Sequence, residues 1–115
     1  MDRETSYTPE EIEAHRRAWI AALRSGEYEQ CAGSLRRNGR YCCLGVACEI
    51  SGAGAWTGPS SYDTTFDYLP DSVIRWLGVE DHDPYCDTSF ATGMNDGGMR
   101  FADIAEAFEA HWGLA

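Results

Sequence analysis

The sequence predicts a single α+β domain, mostly α, with about four helices around a short central helix and one β-hairpin. Three observations predict this. Apolar stripes with helix-end signals lie near both ends of the chain, Asn38-Gly39 is a hairpin signal, and a short apolar run from Leu44 to Ser51 ends at Gly52. The 115 residues suit one globular domain spanning residues 1–115, with residues 1–7 as a flexible N-terminus.

The first predicted helix carries clear signals at both ends. Thr8 suits the N-cap, Pro9 the first helical position, and Glu11 completes a capping box, while Gly26 suits the C-terminal end. His15 falls on the apolar face and is expected to be packed and hydrogen-bonded at the edge of the core. The residues expected to form that face are Ile12, Trp19, Ala22 and Leu23.

The Asn38-Gly39 pair predicts a type I′ hairpin turn, because both central positions of that turn need positive φ. Its strands are expected at Ser34–Arg37 and Arg40–Cys43, and the second strand leads into the short central helix, Leu44–Ser51. Successive strand side chains point to opposite faces, so at most one of the thiols of Cys42 and Cys43 can reach a cleft.

Residues 52–68 are rich in Gly, Ser and Thr but also contain four aromatic residues. We expect an ordered loop over the core, because a plain linker would lack the aromatics. Aromatic rings beside acids suit recognition of a protein or stacking on a small molecule, and the alternative is that the rings cover a small core. The candidate partner-binding residues are Trp56, Tyr62, Asp63, Phe66, Asp67 and Tyr68.

The C-terminal part predicts two further helices. Pro70 precedes a helix at Asp71–Leu77 that ends at Gly78, and the last helix is expected at about Arg100–Trp112. Residues 79–88 predict an acidic loop, and residues 89–98 either a single helical turn or a loop. The side chains expected to be buried are Val73, Ile74, Leu77, Phe101, Ile104, Ala105, Phe108 and Trp112.

The negative charge is concentrated in the second half of the chain. The net charge is −10; residues 1–52 hold eight acids and seven arginines, whereas residues 53–115 hold eleven acids and two arginines. Such a charge argues against direct contact with nucleic-acid phosphates or anionic membranes. The five cysteines do not follow a disulfide pattern and the N-terminus is polar, so a cytoplasmic protein is expected.

A cysteine nucleophile is one chemical possibility. A thiol at a helix N-terminus has its pKa lowered by the helix dipole, and Cys43 is best placed for this, with Cys42 next. The alternative is that these thiols are buried and structural. The residues that would complete a catalytic site are Asn95 or Asp96 to orient a base, Gln30 to donate to an oxyanion, and His15, His82 or His111 as the base.

Metal binding is the poorer interpretation of two groups of residues. The cysteines (Cys31, Cys42, Cys43, Cys48 and Cys86) contain no Cys-x-x-Cys pair of the zinc type. The acids Glu80, Asp81, Asp83 and Asp87 lack the glycine and distal glutamate of a calcium-binding EF-hand loop, and a solvated loop is expected. We therefore expect no metal and no cofactor.

Four blocks of the chain resemble a family of small, uncharacterised proteins common in actinobacteria and their phages. The resemblance implies a phage-associated cytosolic protein, in the host cytoplasm if a phage encodes it, and implies no known activity. The family pattern leads us to expect a serine-like cap before Phe101, where this chain has Met99-Arg100. The blocks are WIAALRSGEYEQ (Trp19–Gln30), SLRRNGRYCCLGVACEISG (Ser34–Gly52), LPDSVIRWLG (Leu69–Gly78) and MNDGGMRFADIAEAF (Met94–Phe108).

The leading functional hypothesis is a small acidic binding protein of phage or mobile-element type, rather than an enzyme, that sequesters or occludes a host protein or a small ligand. In a sharper form, its acidic half mimics nucleic-acid charge and blocks a basic groove. One alternative is a small cysteine-dependent enzyme using Cys43 or Cys42. Another is a small-molecule binder whose pocket is lined by Trp56, Trp76 or Trp112.

Overall fold

The computed structural model describes residues 7–86 and 89–114, and these confirm the α+β, mostly α, fold class. The predicted flexible segment lies outside the described residues, except for Tyr7, whose ring packs edge-on against His15. The helices are α1 (Pro9–Arg24), α2 (Cys43–Ser51), α3 (Asp71–Leu77), α4 (Ala91–Asp96) and α5 (Phe101–His111). The strands are β1 (Arg36–Arg37), β2 (Arg40–Tyr41), β3 (Tyr85–Cys86) and β4 (Ser89–Phe90).

Helix α1 begins with the predicted capping box. The Thr8 hydroxyl accepts from the Glu11 amide at 3.1 Å, and the Glu11 carboxylate accepts from the Thr8 amide at 2.8 Å. The helix packs along α5 and against α2 and α3. The predicted role of His15 is confirmed, because its Nδ1 lies 2.7 Å from the carbonyl oxygen of Trp76 and its ring stacks on the Trp76 ring.

Helix α2 is the buried centre of the fold, with every residue from Cys43 to Cys48 buried. The indole of Trp19 donates to the carbonyl of Cys43 at 2.9 Å, which joins α1 to the start of α2. A Cβ atom at Gly45 would overlap the carbonyl group of Leu35, so a glycine is needed where the chain before β1 crosses α2.

The β1–β2 hairpin has the predicted turn, and its strands are shorter than predicted. Asn38 and Gly39 have φ of 54° and 78°, and Arg37 pairs with Arg40 in antiparallel register. Cys42 and Cys43 therefore lie beyond the strand, at the N-cap and first residue of α2.

A second antiparallel hairpin, β3–β4, was not predicted. Tyr85 pairs with Phe90, and Cys86 pairs with Ser89. The prediction of an acidic loop over residues 79–88 is therefore wrong for Tyr85 and Cys86, which form β3. Helix α4 settles the open choice for residues 89–98 in favour of a helix, and α3 has its predicted bounds. In α3 the residue Ile74 is only half-buried, whereas Trp76 is buried.

Residues 52–68 form an ordered loop, as expected. Isolated bridges join Trp56 to Tyr62 and Tyr62 to Thr65, and Asp63 and Thr64 have positive φ. None of the helices in the described ranges combines the length and apolar character that crossing a bilayer requires.

Candidate functional site

The two adjacent cysteines are both buried at the start of α2. Cys42 is the N-cap residue, and its sulfur accepts from the Gly45 amide at 3.4 Å. Cys43 is fully buried, and its thiol donates to the carbonyl of Ala91 at 3.6 Å. The side chain that borders a cleft belongs to Cys42, whereas the sequence favoured Cys43.

The pKa values of the buried thiols are raised, whereas the helix dipole was expected to lower them. Burial raises the pKa of Cys42 to about 12, against the smaller lowering by the amides of Gly45 and Leu44. Burial raises the pKa of Cys43 well above its ordinary value, and that of Cys48 is raised for the same reason. Desolvation penalises the thiolate more than the helix N-terminus stabilises it, so these thiols stay protonated at neutral pH.

Two of the residues proposed around a catalytic cysteine, Asn95 and Gln30, do come together, but at the backbone amide of Cys43 and not at its thiol. The Asn95 Oδ1 atom accepts from the Cys43 amide at 3.1 Å and from the Gln30 side chain at 2.8 Å. The Asn95 Nδ2 atom donates to the carbonyl of Cys31 at 2.7 Å. This network holds the start of α2 against α4. It does not involve the Cys43 thiol, which is bonded to the Ala91 carbonyl.

The candidate bases lie elsewhere. His15 is bonded to the Trp76 carbonyl, the His82 ring lies 2.7 Å from a carboxylate oxygen of Asp81, and His111 is exposed near the end of α5. Within the described residues, no imidazole is hydrogen-bonded to Cys42 or Cys43.

An open cleft of about 120 Å³ lies beside the start of α2. It combines Asp67 and Tyr68 from the predicted binding set with Asp96 from the predicted catalytic set. We call it the acidic cleft, and its lining residues are Gly33, Ser34, Cys42, Asp67, Tyr68, Thr92 and Asp96.

The polar groups of the acidic cleft differ in how many hydrogen bonds they make within the protein. The Asp96 Oδ1 atom accepts from the Gly33 amide at 3.2 Å and from the Asn95 side chain at 3.3 Å. Asp67 has no hydrogen bond or ion pair with any described residue. Ser34 is 8% exposed, and its buried hydroxyl has no hydrogen-bond partner in the part of the chain that the structure describes.

The acidic loop is partly structural. Asp83 is buried and accepts from the amide and hydroxyl of Thr92, the former at 3.0 Å, which ties the loop to α4. Glu80 and Asp81 are exposed, and Asp87 lies outside the described residues. Across residues 7–86 and 89–114, no three His, Cys, Asp or Glu side chains are grouped so that they could hold a metal ion.

Half of the predicted binding set stabilises the 52–68 loop. The indole of Trp56 lies 3.9 Å beneath the guanidinium of Arg36 and donates to the Glu49 carboxylate at 2.8 Å. Tyr62 is buried, and its hydroxyl accepts from the Gly54 amide. Asp63 accepts from the Ala55 amide at 3.0 Å and from the Ser72 hydroxyl at 2.6 Å.

In the other half of the set, the two rings are open to solvent and Asp67 is half-buried. Phe66 is 56% exposed and Tyr68 is 39% exposed, and the Tyr68 ring packs edge-on against His82. The carbonyl of Phe66 accepts from the Leu35 amide, which places Phe66 near Ser34 and the acidic cleft.

A larger groove of about 600 Å³ is lined by part of the loop at residues 79–84 and by residues near the end of α5. Tyr85 is 50% exposed and Phe90 is 48% exposed, and their rings meet edge-on with centroids 4.9 Å apart. We call it the aromatic groove; its lining includes Glu80, Asp81, Tyr85, Phe90, Phe108 and Trp112. Sequence reasoning missed Ser34, Thr92, Tyr85 and Phe90 as site residues. For the two rings, a signal was present: they lie next to the acids at residues 80–87.

The fold and these cavities define a small α+β protein with two buried cysteines at the start of α2, an open acidic cleft and an aromatic groove. The chain belongs to a family described as "Domain of unknown function (DUF8296)", whose family model matches residues 11–112. This confirms an uncharacterised family, whereas the actinobacterial and phage origin stays a prediction. No curated protein and no solved structure matches the chain.

Proposed function

We propose that the protein is a non-enzymatic binding protein that occludes a basic surface of a protein partner. The observation that carries the proposal is that four exposed rings and several carboxylates are connected through the loop at residues 79–84. The Tyr68 ring packs against His82, Thr92 of the acidic cleft is bonded to Asp83, and Glu80 and Asp81 line the aromatic groove. We call this surface the acidic face, defined by Phe66, Asp67, Tyr68, Asp81, Tyr85, Phe90 and Asp96.

The acidic face has the composition of a protein-binding surface. Exposed aromatic side chains are the residues from which interfaces gain most of their affinity, and four of the large exposed side chains, those of Phe66, Tyr68, Tyr85 and Phe90, belong to it. The half of the chain that supplies most of the face, residues 53–115, holds eleven acids and two arginines. Its negative electrostatic potential attracts a basic partner and repels an acidic one.

The resemblance to phage-associated proteins suggests which kind of partner the protein binds and where. The partner would be a host protein in the cytoplasm, and a protein with a nucleic-acid groove is the favoured kind, because its basic residues are spaced to meet phosphates. Occupation of that groove by carboxylates would block its nucleic-acid ligand without any chemical step.

The test is salt-dependent retention of a basic partner from an actinobacterial lysate on the immobilised protein. We expect retention at about 50 mM salt and elution by about 500 mM, where the Debye length falls below about 5 Å. The double variant Asp67→Asn/Asp81→Asn should lose most of the retention. The matched control Glu27→Gln/Glu106→Gln, with the same change of net charge on exposed residues elsewhere, should keep it.

Two results would contradict the proposal. One is retention that does not change with salt, and the other is equal loss of retention in both double variants. The pair Tyr85→Ala and Phe90→Ala tests the aromatic contribution, and each variant should weaken retention because its ring is about half exposed and free to contact the partner.

Binding of a small molecule is the second candidate, and the aromatic groove favours it. Its volume of about 600 Å³ lies within the range of roughly 300–1,000 Å³ that ligand pockets occupy. Trp112, one of the tryptophans expected to line a pocket, lies 4.4 Å beneath the Arg16 guanidinium there. A ligand found by thermal-shift screening should lose its effect on the melting temperature in Tyr85→Ala, and an unchanged shift would argue against the groove.

A further inference from the structure

We infer that Cys31 and Cys42 form a reversible disulfide, with a small anionic disulfide as the oxidant. The inference does not depend on the proposed function, because it concerns two segments that meet at the start of α2. It assigns a modification site to two thiols that are both free in the structure. Disulfides of this transient kind are the ones that occur in a reducing compartment.

The backbone places Cys31 and Cys42 side by side. Gln30 and Tyr41 form a parallel bridge, and the Cys31 amide donates to the Tyr41 carbonyl at 2.9 Å. Cys31 and Cys42 are the next residues of the two segments, so they face each other in register. Neighbouring segments of a sheet lie about 4.8 Å apart, which is within the Cα separation of about 4.4–6.8 Å that a disulfide needs.

The Asn95 side chain keeps the two segments together beyond the bridge. Its Nδ2 atom donates to the Cys31 carbonyl at 2.7 Å, and its Oδ1 atom accepts from the Cys43 amide at 3.1 Å. These two backbone groups are the ones that would form the next hydrogen bond of a parallel ladder. The cysteine pair therefore lies between two fixed contacts, and we expect side-chain rotation, without a change of fold, to bring the sulfur atoms together.

The two thiols lie on the same face of the β1–β2 hairpin. Arg40 and Cys42 are two residues apart in extended backbone, so their side chains share a face. The Cys31 sulfur lies 3.4 Å from the carbonyl oxygen of Arg40, and Cys31 lines a cavity together with Arg37 and Arg40. Burial is the main cause that raises the pKa of Cys42, and the nearby Cys31 thiol raises it further. Each sulfur is therefore within electrostatic reach of the other.

Cys31 is the thiol of the pair that a reagent can reach. It is half-buried at a cavity of about 420 Å³, whereas Cys42 is 4% exposed. Burial raises the pKa of Cys31, and the positive charge of Arg37 lowers it in part. Arg40 at the same cavity is ion-paired with Glu29 at 3.3 Å, so Arg37 is the group expected to attract a reagent that carries carboxylates.

The reaction consists of two successive thiol–disulfide exchanges, written here for oxidised glutathione. The Cys31 thiolate attacks one sulfur of glutathione disulfide, which breaks that S–S bond, forms a mixed disulfide and releases a glutathione thiolate that takes up a proton. The Cys42 thiol then loses its proton, attacks the Cys31 sulfur and releases the second glutathione. Two cysteines are oxidised, and one glutathione disulfide is reduced to two glutathione thiols.

The test is incubation of the native protein with oxidised glutathione near neutral pH, followed by alkylation of the remaining thiols and mass spectrometry without reduction. The three arginines of the hairpin lie between the two cysteines, so trypsin places them on separate peptides. We expect these peptides to be crosslinked in most molecules, with fragment spectra that place the bond between Cys31 and Cys42, and to separate on addition of dithiothreitol. No reaction at Cys31, a mixed disulfide that persists there, or a crosslink to any other cysteine would overturn the inference.

Two pairs of variants separate the two exchanges. Cys42→Ser keeps a side chain that can cap α2 and should stop at the mixed disulfide on Cys31, whereas Cys48→Ala should crosslink as the wild-type protein does. Arg37→Gln should slow the first exchange about threefold or more with glutathione disulfide and not with the neutral 2-hydroxyethyl disulfide. Arg100→Gln, an exposed arginine elsewhere, should change neither rate. Crosslinking of Cys31 in Cys42→Ser would overturn the pair, and equal slowing with both reagents would overturn the role of the Arg37 charge.

Discussion

At the scale of single residues, the Asn95 carboxamide joins three segments of the chain. Its oxygen accepts from the Cys43 amide and the Gln30 side chain, and its nitrogen donates to the Cys31 carbonyl and the Asp96 carboxylate. The side chain is 3% exposed, so water cannot replace these partners. Asn95 was predicted to orient a catalytic base, and the structure gives it contacts that instead position α2 and α4.

Asn95→Ala should therefore lower the free energy of unfolding by about 3 kcal/mol, because it leaves buried backbone groups of Cys43 and Cys31 unpaired. Gln30→Ala removes a half-buried partner and should cost about 1 kcal/mol. Urea unfolding of the two variants measures the difference. Equal costs would show that the Asn95 network does not carry the stability assigned to it.

The buried thiols make stability depend on pH in the alkaline range. The pKa of Cys42 rises from an ordinary value near 9 to about 12 on folding, because burial penalises the thiolate. The unfolded chain therefore releases this proton above pH 9 while the folded protein keeps it. The stabilisation is fully present below pH 9 and is lost as the pH rises towards 12.

We expect the free energy of unfolding, measured in reducing buffer, to fall by about 1.4 kcal/mol per pH unit above pH 9 for each such thiol. Cys42→Ser keeps a side chain that can cap α2 and removes one titrating group, so its slope should be smaller by about that amount. A slope identical to that of the wild-type protein would show that Cys42 ionises equally in both states.

At the scale of elements, the sequence predicted the helices whose ends carry capping residues. Thr8, Pro9 and Glu11 define the start of α1, and Gly52 and Gly78 end α2 and α3 in the left-handed conformation. The β3–β4 hairpin escaped prediction because its strands are two residues each, too short for an alternating pattern to appear.

Gly45 shows how one element determines the position of another. Gly45→Ala should destabilise the protein by about 3 kcal/mol or more, because the new Cβ meets the carbonyl group of Leu35 and not a flexible side chain. Gly93→Ala is the matched control, since its Cβ in α4 would meet open space and the change should be neutral or stabilising by up to about 1 kcal/mol. Thermal unfolding of both variants measures this, and a tolerated Gly45→Ala would contradict the packing.

The candidate site was only partly predictable for a physical reason. The sequence predicts Asp67 and Tyr68 as part of a loop with rings beside acids, and Asp96 as a group that orients a base. Their meeting depends on how the 52–68 loop and α4 pack beside the start of α2, which the sequence pattern does not report. Ser34 and Thr92 gave no sequence signal, because a lone hydroxyl in a connector has no characteristic spacing. The prediction that the helix dipole lowers the pKa of Cys43 is wrong, because burial raises it and the sequence does not report how deeply a helix N-terminus is buried.

At the scale of the whole molecule, the structure separates two parts with different chemistry. Both cysteines at the start of α2 are buried: Cys43 lies in the apolar core against the Ala91 carbonyl, and Cys42 is 4% exposed at the wall of the acidic cleft. The acidic face, by contrast, holds rings that are open to solvent. A nucleophile needs an accessible thiolate, and a binding face needs an accessible surface. The arrangement therefore favours binding over cysteine chemistry.

The most direct test of this separation is the labelling rate of each thiol by iodoacetamide at pH 7.5, resolved by mass spectrometry in the native and the urea-unfolded protein. We expect half-exposed Cys31 to label in the native state, and Cys42 and Cys43 to label about a hundredfold more slowly than when unfolded. Rapid native labelling of Cys42 or Cys43, at or above the unfolded rate, would contradict the account and favour the cysteine-dependent enzyme.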